Sequence, residues 1–268
     1  MKDTTIFGSL DPELTERVLS RRNAVAETGK MAGVLAVASM PVAFGLLAKS
    51  AFAQGTTLPA DILAVLNFAL TLEYLEDDFY QEGIASGVIE AGDLPIFDSI
   101  SAHESAHVAL LEGAITTGGG TLAPHPTFDF TANGLLPDPF VSPNYPIFQA
   151  LSQGFEDTGV RAYKGQAGAL MSNDAILTTA LQIHSVEARH ASAVRRLRGQ
   201  KGWITGNVSG IEVPEFDPIY AGEENTTQGA APGINTTPFG PAQSASEAFD
   251  EPLTMEQVNT IARLFIVP

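Results

Sequence analysis

The chain has 268 residues, 44% of them hydrophobic, and a formal net charge of -17 at pH 7. This surplus of acidic residues disfavours binding to nucleic acid or to an anionic membrane surface, and it favours cations and neutral small molecules as partners. The sequence contains no cysteine. Disulfide bonds and thiolate metal sites are therefore excluded, and any bound metal must be held by nitrogen and oxygen atoms.

Residues 1–53 have the pattern of an export signal. Ser20-Arg21-Arg22 precedes an apolar run from Met31 to Ala48, and Ala51-Phe52-Ala53 supplies an A-x-A cleavage site. The paired arginines resemble a twin-arginine signal. We therefore predict an exported protein, periplasmic or extracellular, whose mature part has no stable membrane span. The alternative is an uncleaved leader that anchors the protein, because the apolar run approaches spanning length.

Residues 54–202 carry four segments with helical spacing of their apolar residues. The predicted helices are Leu58 to Ser86, a segment from Asp93 to the glycines at 118–120, a segment from near Asn144, and a segment that begins after Ser172 or Asn173. Short connections join the first helix to the second and the third to the fourth. Residues 117–143 form a long crossover packed by its phenylalanines. This connectivity predicts an all-α fold, a ferritin-like antiparallel four-helix bundle.

Residues 203–268 are predicted to be a loop-rich extension that ends in a short helix. The part up to Ser246 is rich in Gly, Pro, Asn and Thr and indicates an extended surface segment. Thr254 and Gln257 then form a capping-box pattern ahead of an apolar stripe, so a short helix is expected to dock on the bundle. The basic residues that close the fourth helix are expected to be solvated. They are Arg195, Arg196, Arg198 and Lys201.

Two segments share the spacing Glu-x-x-His. Glu104 precedes His107 by three residues, and Glu187 precedes His190 in the same way. In a helix, side chains three residues apart lie on one face about one turn apart. Each pair can therefore direct a carboxylate and an imidazole at one point. The motif alone is a weak signal, because it occurs often by chance.

A constant offset strengthens this signal. The two motifs are 83 residues apart (187 − 104 = 83), and the same offset separates Glu73 from Glu156 and Tyr80 from Tyr163. In each half, a helix with a lone glutamate precedes a helix with Glu-x-x-His. Two equivalent hairpins can therefore close around a pseudo-twofold axis. One glutamate of each half would then bridge two metals, and the remaining glutamate and histidine would cap each metal.

The predicted ligand set has four carboxylates and two imidazoles in the core of a bundle, the arrangement of di-iron and di-manganese carboxylate proteins. The predicted ligands are Glu73, Glu104, His107, Glu156, Glu187 and His190. Hard oxygen ligands with imidazole indicate two ions of iron or manganese. The alternative is that Glu73 and Glu156 face solvent while the two histidines are hydrogen-bonded core residues.

Some neighbours of these residues have open roles. Glu76 lies one turn from Glu73 and is either solvated or placed beside the ligands, since its counterpart at the 83-residue offset is Gly159. Tyr80 and Tyr163 are either core aromatics or hydrogen-bond partners of the ligands. The remaining histidines break the offset and are not predicted to be ligands. They are His103, His125 and His184.

The chain resembles the ferritin-like superfamily, and within it the exported, desiccation-related branch. The resemblance rests on the segments Leu66 to Glu76 and Phe79-Tyr80, on the two Glu-x-x-His helices, and on the closing segment Phe249 to Thr254 with its short helix. It implies a metal-binding bundle with redox chemistry on O2 or peroxide, in stress protection. Ferrous oxidation, peroxide removal and catalase-like dismutation all agree with it.

Two other functions are compatible with the same residues. The metals could have a purely structural role in a stress protein, in which case no oxidant is consumed. A zinc hydrolase fits less well, because four carboxylates would overneutralise the metal-bound water that it needs. The sequence assigns no catalytic residue beyond the metal ligands, and it leaves the native metal and any assembly into a homo-oligomer open.

Overall fold

The computed structural model describes residues 57–207, 214–229 and 231–268. The predicted export signal lies outside these residues. Four long helices make the bundle: α1 (Ala60–Ser86), α2 (Leu94–Thr117), α3 (Tyr145–Gln166) and α4 (Asp174–Leu197). A 3-10 turn at Ala167–Leu170 connects α3 to α4. Within the described part of the chain, no helix is both long enough and apolar enough to cross a membrane.

The ends of the long helices follow local chemistry. Helix α1 ends at Gly87, whose φ of 71° is a left-handed conformation that glycine adopts without strain. The Asn173 side chain accepts a hydrogen bond from the backbone N–H of Ile176 and caps α4. Asp93 precedes α2, but its side chain makes no capping bond. Its carboxylate instead accepts a hydrogen bond of 2.6 Å from the Tyr145 hydroxyl, which joins the starts of α2 and α3.

The bundle consists of two helical hairpins, α1 with α2 and α3 with α4. The backbone N–H of Leu58 donates to the carbonyl of Gly118 at 2.9 Å, which places the start of α1 beside the end of its antiparallel partner. The hairpins meet through contacts of α1 with α3 and of α2 with α4. The sequence-based prediction of an all-α, ferritin-like bundle with one long crossover is confirmed.

The crossover between α2 and α3 is held by aromatic packing, as its phenylalanines predicted. Phe79 of α1 stacks on Phe148 of α3 with ring centroids 4.7 Å apart. Phe130 and Phe140 of the crossover pack against Phe79 at 5.2 and 5.6 Å. Buried aromatic contacts of this kind each add stability beyond the area that they bury. They anchor the long connection on one end of the bundle.

The C-terminal extension is more ordered than its composition indicated. It contains 3-10 helices at Pro214–Tyr220 and Thr237–Phe239, a two-stranded antiparallel pair β1 (Thr227–Gln228) and β2 (Ile234–Asn235), and the helices α5 (Ala242–Ser246) and α6 (Met255–Ala262). The capping box of α6 is present as predicted, because Thr254 and Gln257 bond each other's backbone N–H. Helix α6 docks on α3.

The prediction of a surface segment is wrong for the part around Tyr220. Phe216, Ile219 and Tyr220 are buried, because charged groups on α3 need partners that the extension supplies. The buried guanidinium of Arg161 donates to the carbonyls of Ala221 at 2.6 Å and Glu251 at 2.7 Å. The extension is therefore tied into the bundle by buried polar bonds.

The prediction of a solvated basic end for α4 is also wrong for one residue. Arg195 is 3% exposed, and its guanidinium forms a two-bonded ion pair with the carboxylate of Asp157 on α3. The hydroxyl of Tyr220 donates to the same carboxylate. Asp157, in the middle of α3, requires a cation in its buried position, and the last turn of α4 provides one.

Candidate metal centre

The six predicted ligands lie at the middle of the four long helices. Glu73 belongs to α1, the pair Glu104 and His107 to α2, Glu156 to α3, and the pair Glu187 and His190 to α4. The four carboxylates have no exposed surface, and the imidazoles of His107 and His190 are 2% and 4% exposed. The alternative in which Glu73 and Glu156 face solvent is therefore excluded.

The side chains form two groups that share two members. Glu73 and His107 meet Glu104 and Glu187 in one group, and Glu156 and His190 meet the same two glutamates in the other. Within each group, one candidate ligand atom from every residue lies within 4.8 Å of all the others. The two shared glutamates are those of the Glu-x-x-His motifs.

The shared carboxylates present one oxygen to each imidazole. Nδ1 of His107 lies 2.9 Å from Oε2 of Glu104 and 3.1 Å from Oε1 of Glu187. Nδ1 of His190 lies 2.9 Å from Oε1 of Glu104 and 3.8 Å from Oε2 of Glu187. The two oxygens of each shared carboxylate therefore face different halves of the centre, as a carboxylate that bridges two cations does.

The outer carboxylates complete the two halves. Oε2 of Glu73 lies 3.1 Å from Nδ1 of His107, and Oε2 of Glu156 lies 3.2 Å from Nδ1 of His190. Each half thus has one outer glutamate, one imidazole nitrogen and one oxygen from each bridge. The arrangement follows the 83-residue offset of the sequence.

Several of these buried atoms lack a hydrogen-bond partner among the described residues. They are Oε1 of Glu104, Oε2 of Glu156, both carboxylate oxygens of Glu187 and Nδ1 of His190. Nδ1 of His190 and Oε1 of Glu104 are close, but their directions do not fit a hydrogen bond. Unpartnered buried acceptors are costly, and a cation at their common focus satisfies them. The donor set is therefore one that can hold metal.

Two tyrosine hydroxyls hold the oxygens of the outer carboxylates that face away from the focus. Tyr163 donates to Oε1 of Glu73, and Tyr80 donates to Oε1 of Glu156 at 2.5 Å. Tyr80 is also bonded to the Ser152 hydroxyl at 2.7 Å. Partners of this kind fix the orientation of a ligand and leave its other oxygen free for metal. Ser152 was not singled out from the sequence, although it lies one helical turn before Glu156.

The family model of the ferritin-like domain matches residues 61–200. These are 140 of the 268 residues, more than half of the chain. The chain belongs to the ferritin-like domain family. No curated protein matches it. The matched region begins in α1 and ends just after α4, so it contains all six residues of the two groups.

One histidine of this ferritin-like centre was not predicted to take part. Nδ1 of His103 lies 2.8 Å from Nε2 of His190, and the two rings are nearly parallel with centroids 5.1 Å apart. Because Nδ1 of His190 faces the carboxylates, His103 bonds the opposite edge of that ring. His103 lies one turn before His107, and this spacing is the signal that sequence reasoning did not use. The other two histidines lie outside both groups.

Glu76 is buried beside the ferritin-like centre. It is 3% exposed, so the solvated alternative is excluded. A Cβ atom added to Gly159 would lie 3.5 Å from Oε1 of Glu76 and 3.5 Å from Oε2 of Glu187. Glu76 therefore occupies space next to a bridging carboxylate that the missing side chain of Gly159 leaves open.

Burial and mutual charge shift the pKa values of the centre strongly. Burial raises the pKa of Glu73 to about 8, and it raises the pKa values of Glu76 and Glu156 well above their usual range. Burial would also raise the pKa of Glu104, but the adjacent His107 outweighs it and holds this pKa below its usual range. Burial would lower the pKa of His107, whereas the neighbouring Glu73 and Glu104 raise it. Without metal, the raised pKa values favour protonated side chains in the centre.

Proposed function

We propose that the protein binds two ions of iron or manganese and uses them in redox chemistry with O2 or peroxide. The observation that carries this proposal is the pair of carboxylates that the two ligand groups share. Glu104 and Glu187 each turn one oxygen to His107 and the other to His190, at the shared edge of two ligand groups. Two cations held between these residues would be close enough to act on one small molecule.

The donor set supports iron or manganese as the metal. Four carboxylates neutralise the charge of two divalent cations, and hard oxygen donors with one imidazole nitrogen in each half suit these metals. When bound, the metals supply the electrons for reduction of O2 or peroxide through changes of their oxidation state. A zinc hydrolase is less well supported, because a zinc ion among so many carboxylates would not acidify its bound water enough.

The protein's own residues orient the ligands and exclude bulk water. The hydroxyls of Tyr80 and Tyr163 hold the outer oxygens of Glu156 and Glu73, so each outer carboxylate keeps one oxygen for metal. The apolar residues of the bundle surround the centre, and none of its carboxylates has exposed surface. Burial of this kind favours a small oxidant such as O2 or peroxide over a large substrate.

The first test is metal analysis followed by reaction with oxidant. Protein purified from its own host should contain two equivalents of iron or manganese. An anaerobic sample of the metal-loaded protein should consume O2 or peroxide when the oxidant is added. Absorbance and an oxygen electrode follow the reaction. Glu104→Gln should bind one metal fewer and lose the reaction with oxidant. Glu90→Gln, at an exposed site outside the bundle core, should bind as much metal as the wild type and react as fast.

A metal-loaded protein that consumes neither O2 nor peroxide would contradict the redox proposal. The remaining function would then be a structural stress protein in which the metals only stabilise the bundle. Zinc as the native metal, with hydrolysis of an ester and no redox change, would contradict both.

The proposal extends to location and role. The leader pattern at residues 1–53 supports export through a twin-arginine route, and the resemblance to the desiccation-related branch supports a role in stress protection. Exchanging Arg21 and Arg22 for lysine and fractionating the cells tests the first part. Undiminished export of the variant would contradict the twin-arginine route.

A further inference from the structure

A small apolar cavity lies against the metal centre. Its walls come from α1, α3, α6 and the turn after α6, and they include Leu72, Leu75, Phe155, Ile261 and Phe265. Within this cavity, the centre of a water-sized molecule can occupy a volume of about 20 Å³. This is enough room for one molecule of that size, and an apolar cavity of this kind binds apolar gases rather than water.

The cavity reaches the centre at Gly159 and Glu76, which both line it. A Cβ atom at Gly159 would lie 3.5 Å from Oε2 and 3.5 Å from Cγ of Glu187, a bridging residue. The missing side chain of this glycine therefore keeps the inner end of the cavity open towards the bridge. A glycine inside a helix costs about 1 kcal/mol relative to alanine, so its presence in α3 has a stability cost.

A second apolar cavity in the bundle has a different relation to the centre. It is lined by residues such as Val65, Leu66 and Tyr163, and Tyr163 is the only one of its lining residues that bonds a predicted ligand. The hydroxyl of Tyr163 is used in its bond to Glu73. The first cavity thus gives the more direct approach to the bridging carboxylates.

We propose that the cavity between α1, α3 and α6 is the site through which dioxygen reaches the metal centre. Its walls offer almost no hydrogen bonds, since the hydroxyl of Thr158 is bonded to the carbonyl of Gly154 at 2.6 Å and Glu76 is the remaining polar side chain. Peroxide needs partners for two hydroxyl groups, and an anion would find no cationic side chain in these walls. Dioxygen needs neither. This inference rests on the proposed redox function.

Gly159→Ala tests whether dioxygen passes the inner end of the cavity beside Glu187. The new methyl group would make ordinary van der Waals contacts at 3.5 Å, so the fold and the ligands tolerate it. It would also remove the helix penalty of glycine. We expect two bound metals, an unchanged or higher melting temperature, and a reaction of the reduced protein with O2 that is about tenfold slower, which corresponds to about 1.4 kcal/mol in activation free energy.

Gly113→Ala is the matched control. Gly113 lies within α2, and a Cβ atom there would meet nothing within 4 Å. It gains the same helix propensity without touching the cavity, so its rate with O2 should equal that of the wild type. Ala262→Val, in the wall formed by α6, narrows the cavity from the side away from the ligands and should slow the reaction as well.

Xenon provides a test that is independent of metal and of turnover. Crystals of the wild-type protein under xenon pressure should show xenon in the cavity, and crystals of Ala262→Val should show less. Absence of xenon from the wild-type cavity would overturn the inference. So would rates with O2 in Gly159→Ala and Ala262→Val that equal that of Gly113→Ala.

The same experiments separate the inference from the proposed function. If the wild type reacts with O2 and the two cavity variants react equally fast, the function stands and the cavity is not the route. If both variants slow the reaction with peroxide but not that with O2, the occupant is peroxide and the assignment to dioxygen is wrong. If the metal-loaded wild type reacts with neither oxidant, the proposed function falls, and the role of the cavity falls with it.

Discussion

His103 makes the two halves of the centre unequal. Its imidazole bonds Nε2 of His190, whereas the residue at the corresponding position in the other half, 83 residues later, is Val186. A hydrogen bond to the far nitrogen of a ligand histidine sets which nitrogen carries the proton and keeps the other free for metal. His103 therefore supports the half that contains Glu156 and not the half that contains Glu73.

We predict that His103→Val lowers the affinity of one metal site and leaves the other unchanged. Loss of such a partner lowers metal affinity by about 10-fold to 100-fold. Titration with Mn²⁺, followed by calorimetry or by electron paramagnetic resonance, measures both sites. His125→Ala is the control, because His125 lies outside both ligand groups and is about half exposed beside Asp78. Equal weakening of both sites would contradict this role for His103.

Metal binding is predicted to weaken as the pH falls below about 8. Burial raises the pKa of Glu73 to about 8, and neighbouring carboxylates raise the pKa values of His107 and His190 against the effect of burial. These groups hold protons at neutral pH without metal, and a metal must displace them. Each displaced proton lowers the affinity about tenfold for every pH unit below its pKa.

Calorimetry in two buffers with different heats of ionisation measures this proton release directly. At pH 7 the apparent binding enthalpy should differ between the two buffers. The difference should correspond to the release of at least one proton from each protein molecule on metal binding. Above pH 8 the difference contributed by Glu73 should disappear. An enthalpy that does not depend on the buffer at pH 7 would show that the metal-free centre holds no proton.

At the scale of elements, α3 faces two different polar environments. Glu156 points to the metal centre, while its neighbour Asp157 pairs with Arg195 of α4 and Tyr220 of the extension. One turn further on, Arg161 pairs with Glu223 at 2.8 Å. Buried ion pairs of this kind add specificity to a fold more than stability, but removal of one partner leaves a buried charge without compensation. The extension is thus needed to provide partners for the buried charges of α3.

We predict that Asp157→Ala destabilises the protein by about 3 to 5 kcal/mol, because it leaves the buried guanidinium of Arg195 unpaired. Tyr220→Phe removes the hydrogen bond to the same carboxylate and the bond that Gln153 donates to this hydroxyl, and it should cost about 2 kcal/mol. Unfolding by urea, with the metal content of each variant held equal, measures both. Asp98→Ala, at an exposed site in α2, is the control and should change little. A small effect of Asp157→Ala would show that the extension contributes little to the bundle.

The helices and the convergence of the six candidate ligands could be predicted from the sequence because both depend on local spacing. The periodicity of α1 to α4, the glycine at 87 and the Glu-x-x-His motifs are properties of neighbouring residues, and the 83-residue offset carries the symmetry between the halves. That the six residues bind metal stays a prediction. The contacts of Asp157 with Tyr220 and of Arg161 with Ala221 could not be predicted, since these partners lie about 60 residues away in a segment whose composition resembles that of a loop.

Two apolar clusters stabilise opposite ends of the bundle, and the acidic centre lies between them. One cluster contains Ile62, Leu70 and Ile115, and the other contains Phe79, Phe148 and Phe216. Four carboxylates in the middle of such a core oppose folding unless protons or cations balance their charge. Metal bound at this point would therefore stabilise the folded bundle by balancing that charge. The net charge of -17 also raises the local concentration of cations around the protein.

We predict that removal of metal by a chelator lowers the melting temperature of the protein. A metal that binds only the folded state stabilises it by about 2.7 kcal/mol when its free concentration is about 100 times Kd. For a chain of this size, that corresponds to a shift of about 5 to 10 °C. Differential scanning calorimetry with and without chelator measures the shift, and Glu187→Ala, which removes an oxygen from both halves, should show a much smaller one. Equal melting temperatures of the wild type with and without chelator would mean that the folded state does not bind metal at this centre, and the proposed function would fail at its first step.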